Sequence, residues 1–128
     1  MDTVANTLTI LLNGQRAQKK RVAVPFSKMN KSLLEFMKDR KLVGDIRLQE
    51  SPKSKLIVSL AYSEAGKPAM SGCKRISKPG RRVYAGAEFL PYTHQDSGMV
   101  VVSTSEGLMD EKHARGKGIG GELICAIW

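Results

Sequence analysis

Met99-Val100-Val101-Val102-Ser103-Thr104-Ser105-Glu106-Gly107-Leu108-Met109-Asp110 is the stretch on which the fold turns. Its first four residues are apolar without a break, the pattern of a strand buried on both faces. Three hydroxyls and a glycine follow as a polar turn, and Gly107–Asp110 reads as a second short extended piece. Asp110 stands where a helix N-cap belongs, ahead of a short basic helix through Lys117. Ile119–Trp128 closes the chain as another strand. Strand, turn, strand, short helix and strand in succession make a mostly antiparallel β unit with one helix.

Working back from that stretch, Glu88–Thr93 holds a single helical turn that Pro91 breaks, and Arg82-Val83-Tyr84 is short and extended. Lys78-Pro79-Gly80 is a turn, and Ser71–Ser77 is a further strand. Glu64-Ala65-Gly66-Lys67-Pro68 has linker composition. Before it, Lys55–Tyr62 and Asp45–Gln49 alternate apolar and polar residues around a turn at Glu50–Ser54, which predicts a hairpin. Ser27 caps a helix with Leu33, Leu34, Met37 and Leu42 as its stripe, ended by Gly44. Arg21–Pro25 is a short strand. Residues 3–18 place Val4, Leu8, Leu11 and Leu12 on one helical face. The expected fold is α+β in two small domains. Residues 1–63 form an α-β-α-β-β domain, 64–70 a linker, and 71–128 a mainly antiparallel β domain with a short helix.

Composition narrows the function. The chain of 128 residues carries 21 Lys and Arg against 12 acids, a net charge of +9, which favours a polyanion partner. Arg16, Lys19, Lys20, Arg21, Lys28 and Lys31 occur with no acid among them. Lys74, Arg75, Lys78, Arg81 and Arg82 do the same around the Pro79-Gly80 turn. Two such clusters on separate domains fit one partner that touches both. The two cysteines cannot build a disulfide framework or a four-ligand zinc site, and His94 and His113 lack ligand spacing. No apolar run approaches the roughly 20 residues a membrane helix needs. A secretory segment and a transit peptide are not expected within this chain. With aromatics at 5%, a broad stacking platform for single strands is not expected, and structured RNA is the better fit.

Two constellations offer chemistry. Arg115-Gly116-Lys117-Gly118-Ile119-Gly120-Gly121 matches the spacing with which acetyltransferases cradle a coenzyme A pyrophosphate. That use requires a long helix after the glycines, whereas the seven remaining residues read as a strand, so no cofactor and no enzymatic activity are expected. Ser103, Thr104, Ser105 and Gly107 offer hydroxyls that both donate and accept, suited to base edges and 2′-hydroxyls. Gly120, Gly121 and Glu122 join them as the expected discriminating surface, the glycines admitting close approach of RNA. Lys74, Arg75, Lys78, Arg81, Arg82, Lys28 and Lys31 are expected on phosphates, and Tyr84 on a ribose or base.

Four motifs then carry a family resemblance. Ser77-Lys78-Pro79-Gly80-x-Arg82-Val83-Tyr84, Ser103-Thr104-Ser105-x-Gly107-x-Met109, Ala114-Arg115 and Gly118-Ile119-Gly120-Gly121-Glu122-x-x-Cys125, with Trp128, follow in the order of bacterial-type small-subunit ribosomal protein eight. The amino half is similar through Leu8-Thr9, Asn13, Gln15-Arg16-Ala17 and Val22-x-Val24-Pro25-x-Ser27-Lys28. The resemblance covers essentially the whole chain and implies the same two-domain fold. It implies binding to the central domain of small-subunit rRNA early in assembly, beside neighbouring small-subunit proteins, with no membrane and no small-molecule substrate. A free-standing regulator of messenger RNA would share this chemistry. The implied location is the ribosome of a bacterial cytoplasm or an organelle. The chain departs from the family at Ile10 and Leu12, where basic residues are usual, and at His94-Gln95-Asp96 and Ser97-Gly98-Met99. The change at Ile10 and Leu12 either removes phosphate contacts from the first helix or turns that face toward another protein.

Overall fold

A computed structural model describes residues 3–50, 53–91 and 98–128. The chain divides into two units, one running to Ser71 and the other comprising Gly72–Trp128. The first contains α1 (Thr3–Arg16), β1 (Arg21–Pro25), α2 (Lys28–Asp39), β2 (Val43–Gln49) and β3 (Lys55–Leu60). The strands form an antiparallel sheet in the order β1-β3-β2. Alternation along β3 turns Leu56, Val58 and Leu60 inward, while α1 supplies Val4, Leu8 and Leu11 and α2 supplies Leu33, Leu34 and Met37. Each of these side chains contributes on the order of 1.5–3 kcal/mol on burial.

The second unit contains β4 (Cys73–Arg75), β5 (Tyr84–Ala85), a 3₁₀ turn (Ala87–Phe89), β6 (Met99–Thr104), β7 (Gly107–Asp110), α3 (Glu111–Lys117) and β8 (Gly121–Ile127). The sheet order is β4-β8-β6-β7, and β5 pairs with the other end of β8 on the edge that β4 uses. Reciprocal backbone bonds between Gly72 and Trp128, 3.1 and 3.0 Å, join the first and last residues of the unit. Leu90, Val100, Val102, Ala114 and Leu123 form its core, with Val83, Ala85 and Met109 packed against them. Among the described residues, no helix is long and apolar enough to cross a membrane.

The α+β class matches the expectation, and several boundaries move for physical reasons. The second helix ends at Asp39 rather than at Gly44. Lys41 takes φ +62° and closes the helix, its N–H donating to Lys38 and that of Leu42 to Met37. Gln18, at φ +57°, closes α1 in the same way, ahead of the expected end at residue 18. Gly44 instead lies in β2, at a register shift between Val43 and Ile46. The segment read as a linker folds back within the first unit, with Ala69 N–H donating to the carbonyl of Ala61 at 3.1 Å. The helical turn expected at Glu88–Thr93 lies at Ala87–Phe89, because Leu90, preceding Pro91, is extended at ψ 138°. Tyr92, Thr93 and the His94–Ser97 departure lie outside the described residues.

Candidate nucleic-acid interface

The antiparallel pairings of β8 with β5 and with β6 decide where the candidate residues lie. Tyr84 stands opposite Glu122, and Glu122 stands opposite Ser103, so the three occupy one row across β5, β8 and β6. Directly opposed residues share a face. Their neighbours Ala85, Leu123 and Val102 point the other way, into the core. β8 has one extra residue, Ile124, between the pairs Val101–Cys125 and Val102–Leu123. That bulge sets the phase of the strand, so that Glu122 and Tyr84 come to the outer face. Tyr84 is 68% exposed.

The hydroxyl turn is held from within. Thr104 Oγ1 donates to the carbonyl of Gly107 at 2.8 Å and accepts from the amide of Glu106 at 3.1 Å. Its hydroxyl thus shapes the two-residue loop Ser105-Glu106. Gly107 sits at φ +106°, where a side chain would be strained. Among the described residues neither Ser103 nor Ser105 uses its hydroxyl in a hydrogen bond, and Ser105 is at the exposed tip. Lys117 Nζ lies 3.7 Å from Glu106 Oε2, which brings the end of α3 beside the loop.

Glu122 is a carboxylate on a face expected to meet anions. Arg82 Nη1 donates to its Oε2 at 3.2 Å, with the Glu122 side chain only 16% exposed. The guanidinium offsets the carboxylate's charge locally. Lys78, Arg81 and Arg82 are exposed on the tight turn over Pro79-Gly80, closed by two bonds of 2.9 Å between Lys78 and Arg81. Ser77 anchors its base: the fully buried hydroxyl accepts from Val83 N–H at 2.8 Å and donates to Val83 carbonyl at 3.2 Å. Lys74 is exposed on β4. Arg75 is half-buried and donates to the carbonyl of Ile124, so part of its donor capacity serves the bulge. Lys28 and Lys31 belong to the other unit, exposed in the first turns of α2, which has no acid in its first turn.

Gly120 and Gly121 are accounted for by the protein itself. A Cβ at Gly121 would lie 2.1 Å from the Ser103 carbonyl oxygen, and one at Gly120 would lie 2.2 Å from that of Ala85. Their lack of side chains lets β8 approach its own neighbours, a requirement of the strand pairing itself. The Arg115–Gly121 segment is likewise not an anion cradle. Gly118, at φ +71°, caps the C-terminal end of α3, with Ile119 N–H donating to Ala114 and Gly118 N–H to Arg115. A helix C-terminus presents carbonyls and partial negative charge, and a strand follows. Among the described residues no three His, Cys, Asp or Glu side chains are grouped as a metal would require.

Two residues beside this surface escaped the sequence reading. Lys117 falls within the cofactor-like spacing in sequence, but Asp110 at the cap and Gly118 at the end fix it in the last turn of α3. Phe89, 79% exposed just after β5, stands among Ala87, Leu90 and Pro91 in a mostly apolar stretch, so nothing in the local sequence marks it as exposed.

Residues 2–128 match the family model described as ribosomal protein S8. The chain is 41% identical over 127 residues to the small ribosomal subunit protein uS8 of Oleidesulfovibrio alaskensis, covering 99% of this chain and 98% of that one. It is 39% identical to the uS8 protein of Syntrophobacter fumaroxidans, covering 99% and 97%, and 38% identical to that of Caldicellulosiruptor bescii, covering 100% and 98%.

Proposed function

The chain belongs to the ribosomal protein S8 family, whose members are structural rather than catalytic, and on that premise we propose that it is a constituent of the small ribosomal subunit. In this reading it binds the central domain of the small-subunit rRNA, helps that domain fold during assembly, and lies beside other small-subunit proteins on a bacterial cytoplasmic ribosome. The carboxyl unit is the RNA-binding domain, and Lys28 and Lys31 add phosphate contacts from the amino unit.

The row Tyr84, Glu122 and Ser103 carries this reading, flanked by the open hydroxyl of Ser105 and the cations of the Pro79-Gly80 turn. Hydroxyls and a carboxylate already balanced by Arg82 match the amino groups and 2′-hydroxyls of folded RNA. The cations around them position the phosphates. Reconstitution tests it. The purified chain is expected to protect a segment of central-domain RNA from hydroxyl radicals and to co-sediment with small subunits. Lys78→Ala should weaken all RNAs alike and lower the salt slope by roughly one unit or less. Stable cellular protein found only off the ribosome would instead favour a free-standing regulator of messenger RNA.

A further inference from the structure

The sheet of the amino unit ends on β1, whose outer edge is covered by no strand among the described residues. Register decides which main-chain groups face outward. Leu60 N–H donates to the Lys20 carbonyl at 2.9 Å and Phe26 N–H to that of Ser54 at 3.2 Å, bracketing the ladder with β3. Lys20, Val22, Val24 and Phe26 therefore turn their backbone groups toward β3, and Arg21 and Ala23 turn theirs away. Pro25 has no N–H, and its carbonyl accepts from Nδ2 of the fully buried Asn30 at 2.9 Å. The free edge thus offers two complete donor–acceptor sets, at Arg21 and Ala23, and is closed at Pro25. All three residues are exposed.

A groove follows this edge. Two depressions, of about 590 and 330 Å³, share Ile10 of α1 and Ala23. The first reaches Lys19 and Arg21; the second reaches Pro25, Lys53 and Lys55. Cations stand at both ends, an apolar floor lies between, and among the described residues no acid lines either depression.

We propose that this edge takes up an extended acidic segment of a partner protein as a fourth strand, antiparallel to β1 and bonded to Arg21 and Ala23. A peptide strand satisfies both the outward N–H and the outward C=O groups. An RNA phosphate would accept from the former, leave the latter unpaired and gain nothing from Ile10. A second copy of this chain would set the same cations against one another across a two-fold axis. The proposal concerns residues other than the Tyr84–Glu122–Ser103 row and than Lys28 and Lys31 of α2, and stands independently of the RNA reading.

The probe is an acetylated, amidated hexapeptide of alternating glutamate and valine, titrated into the full chain and followed by amide shifts and hydrogen exchange. Saturable binding is expected, with the Arg21 and Ala23 amides exchanging at least about tenfold more slowly, the effect of gained hydrogen bonds. A lysine–valine peptide should not bind. Ala23→Pro removes one outward donor and none of the ladder to β3, and Ile10→Glu puts a like charge in the acidic peptide's path; each should lower affinity at least about tenfold. Should one variant fail to fold, the other decides. Absence of slowed exchange at Arg21 and Ala23 overturns the proposal. So does equal loss of duplex RNA binding in both variants, or dimerisation that protects the same amides.

Discussion

At Gly121 one methyl group separates two explanations of a glycine. The Ser103 carbonyl oxygen would lie 2.1 Å from that methyl, and Thr104 Cα 3.2 Å, so Gly121→Ala has to move backbone rather than a side chain. It is expected to destabilise the protein by about 1–3 kcal/mol, the range for overpacking, read as a lowered urea midpoint. RNA affinity measured on the folded fraction should then change little. Ser105→Ala is the opposite case. Its hydroxyl is exposed and holds nothing in the chain, so stability should stay within about 0.5 kcal/mol. Cognate RNA binding should weaken by about 1–3 kcal/mol while binding to random RNA barely moves, in paired filter-binding titrations. Equal losses on both RNAs would make the loop scaffold.

Among elements, the helix ends are informative. Among the described residues the three α-helices each close through a left-handed residue, and of these α3 uses glycine, α1 Gln18 and α2 Lys41. A side chain in that conformation costs roughly 1–2 kcal/mol, part of which glycine returns as unfolded-state entropy. Lys41→Gly is therefore expected to raise stability by about 0.5–1 kcal/mol with an unchanged denaturant slope. The basic turn is an element of another kind, a two-residue reversal whose base is tied by Ser77. Ser77→Ala would leave the amide of Val83 unpaired inside the fold. A loss of about 1–3 kcal/mol in stability follows, with weakened binding to every RNA because the cations lose their placement. A circular-dichroism melt and a salt titration on the same variant read both effects.

For the whole molecule, a charge of +9 makes affinity salt-dependent whatever the partner. On the proposed reading, selectivity comes from the uncharged groups of the Tyr84–Glu122–Ser103 row. The logarithm of affinity should fall linearly with the logarithm of salt for both folded RNA and duplex DNA of equal length. At about 0.15 M salt the RNA should remain bound more tightly, since only it presents 2′-hydroxyls on an A-form surface. Equal affinities there would reduce the protein to a polycation.

Much of this was legible in the chain alone, for local reasons. The run Met99–Val102, the Asp110 cap, the Ser27 cap and the alternation along Lys55–Leu60 each fix an element through residues within a turn or two of one another. The hydroxyl turn and the basic turn could be read for the same reason. What sequence order could not convey depends on partners far along the chain. Gly44 looks like a helix stop, yet Lys41 ends the helix and Val43 already pairs with Leu60 in the sheet. Gly120 and Gly121 look like a ligand loop until β5 and β6 are laid beside them and their missing Cβ atoms prove to be space for Ala85 and Ser103. Glu122 becomes intelligible on a surface proposed to face RNA once Arg82, forty residues earlier, is folded against it. Periodicity and capping are set by neighbours along the chain; close approach and charge balance are set by neighbours across it, and only the tertiary structure decides who they are.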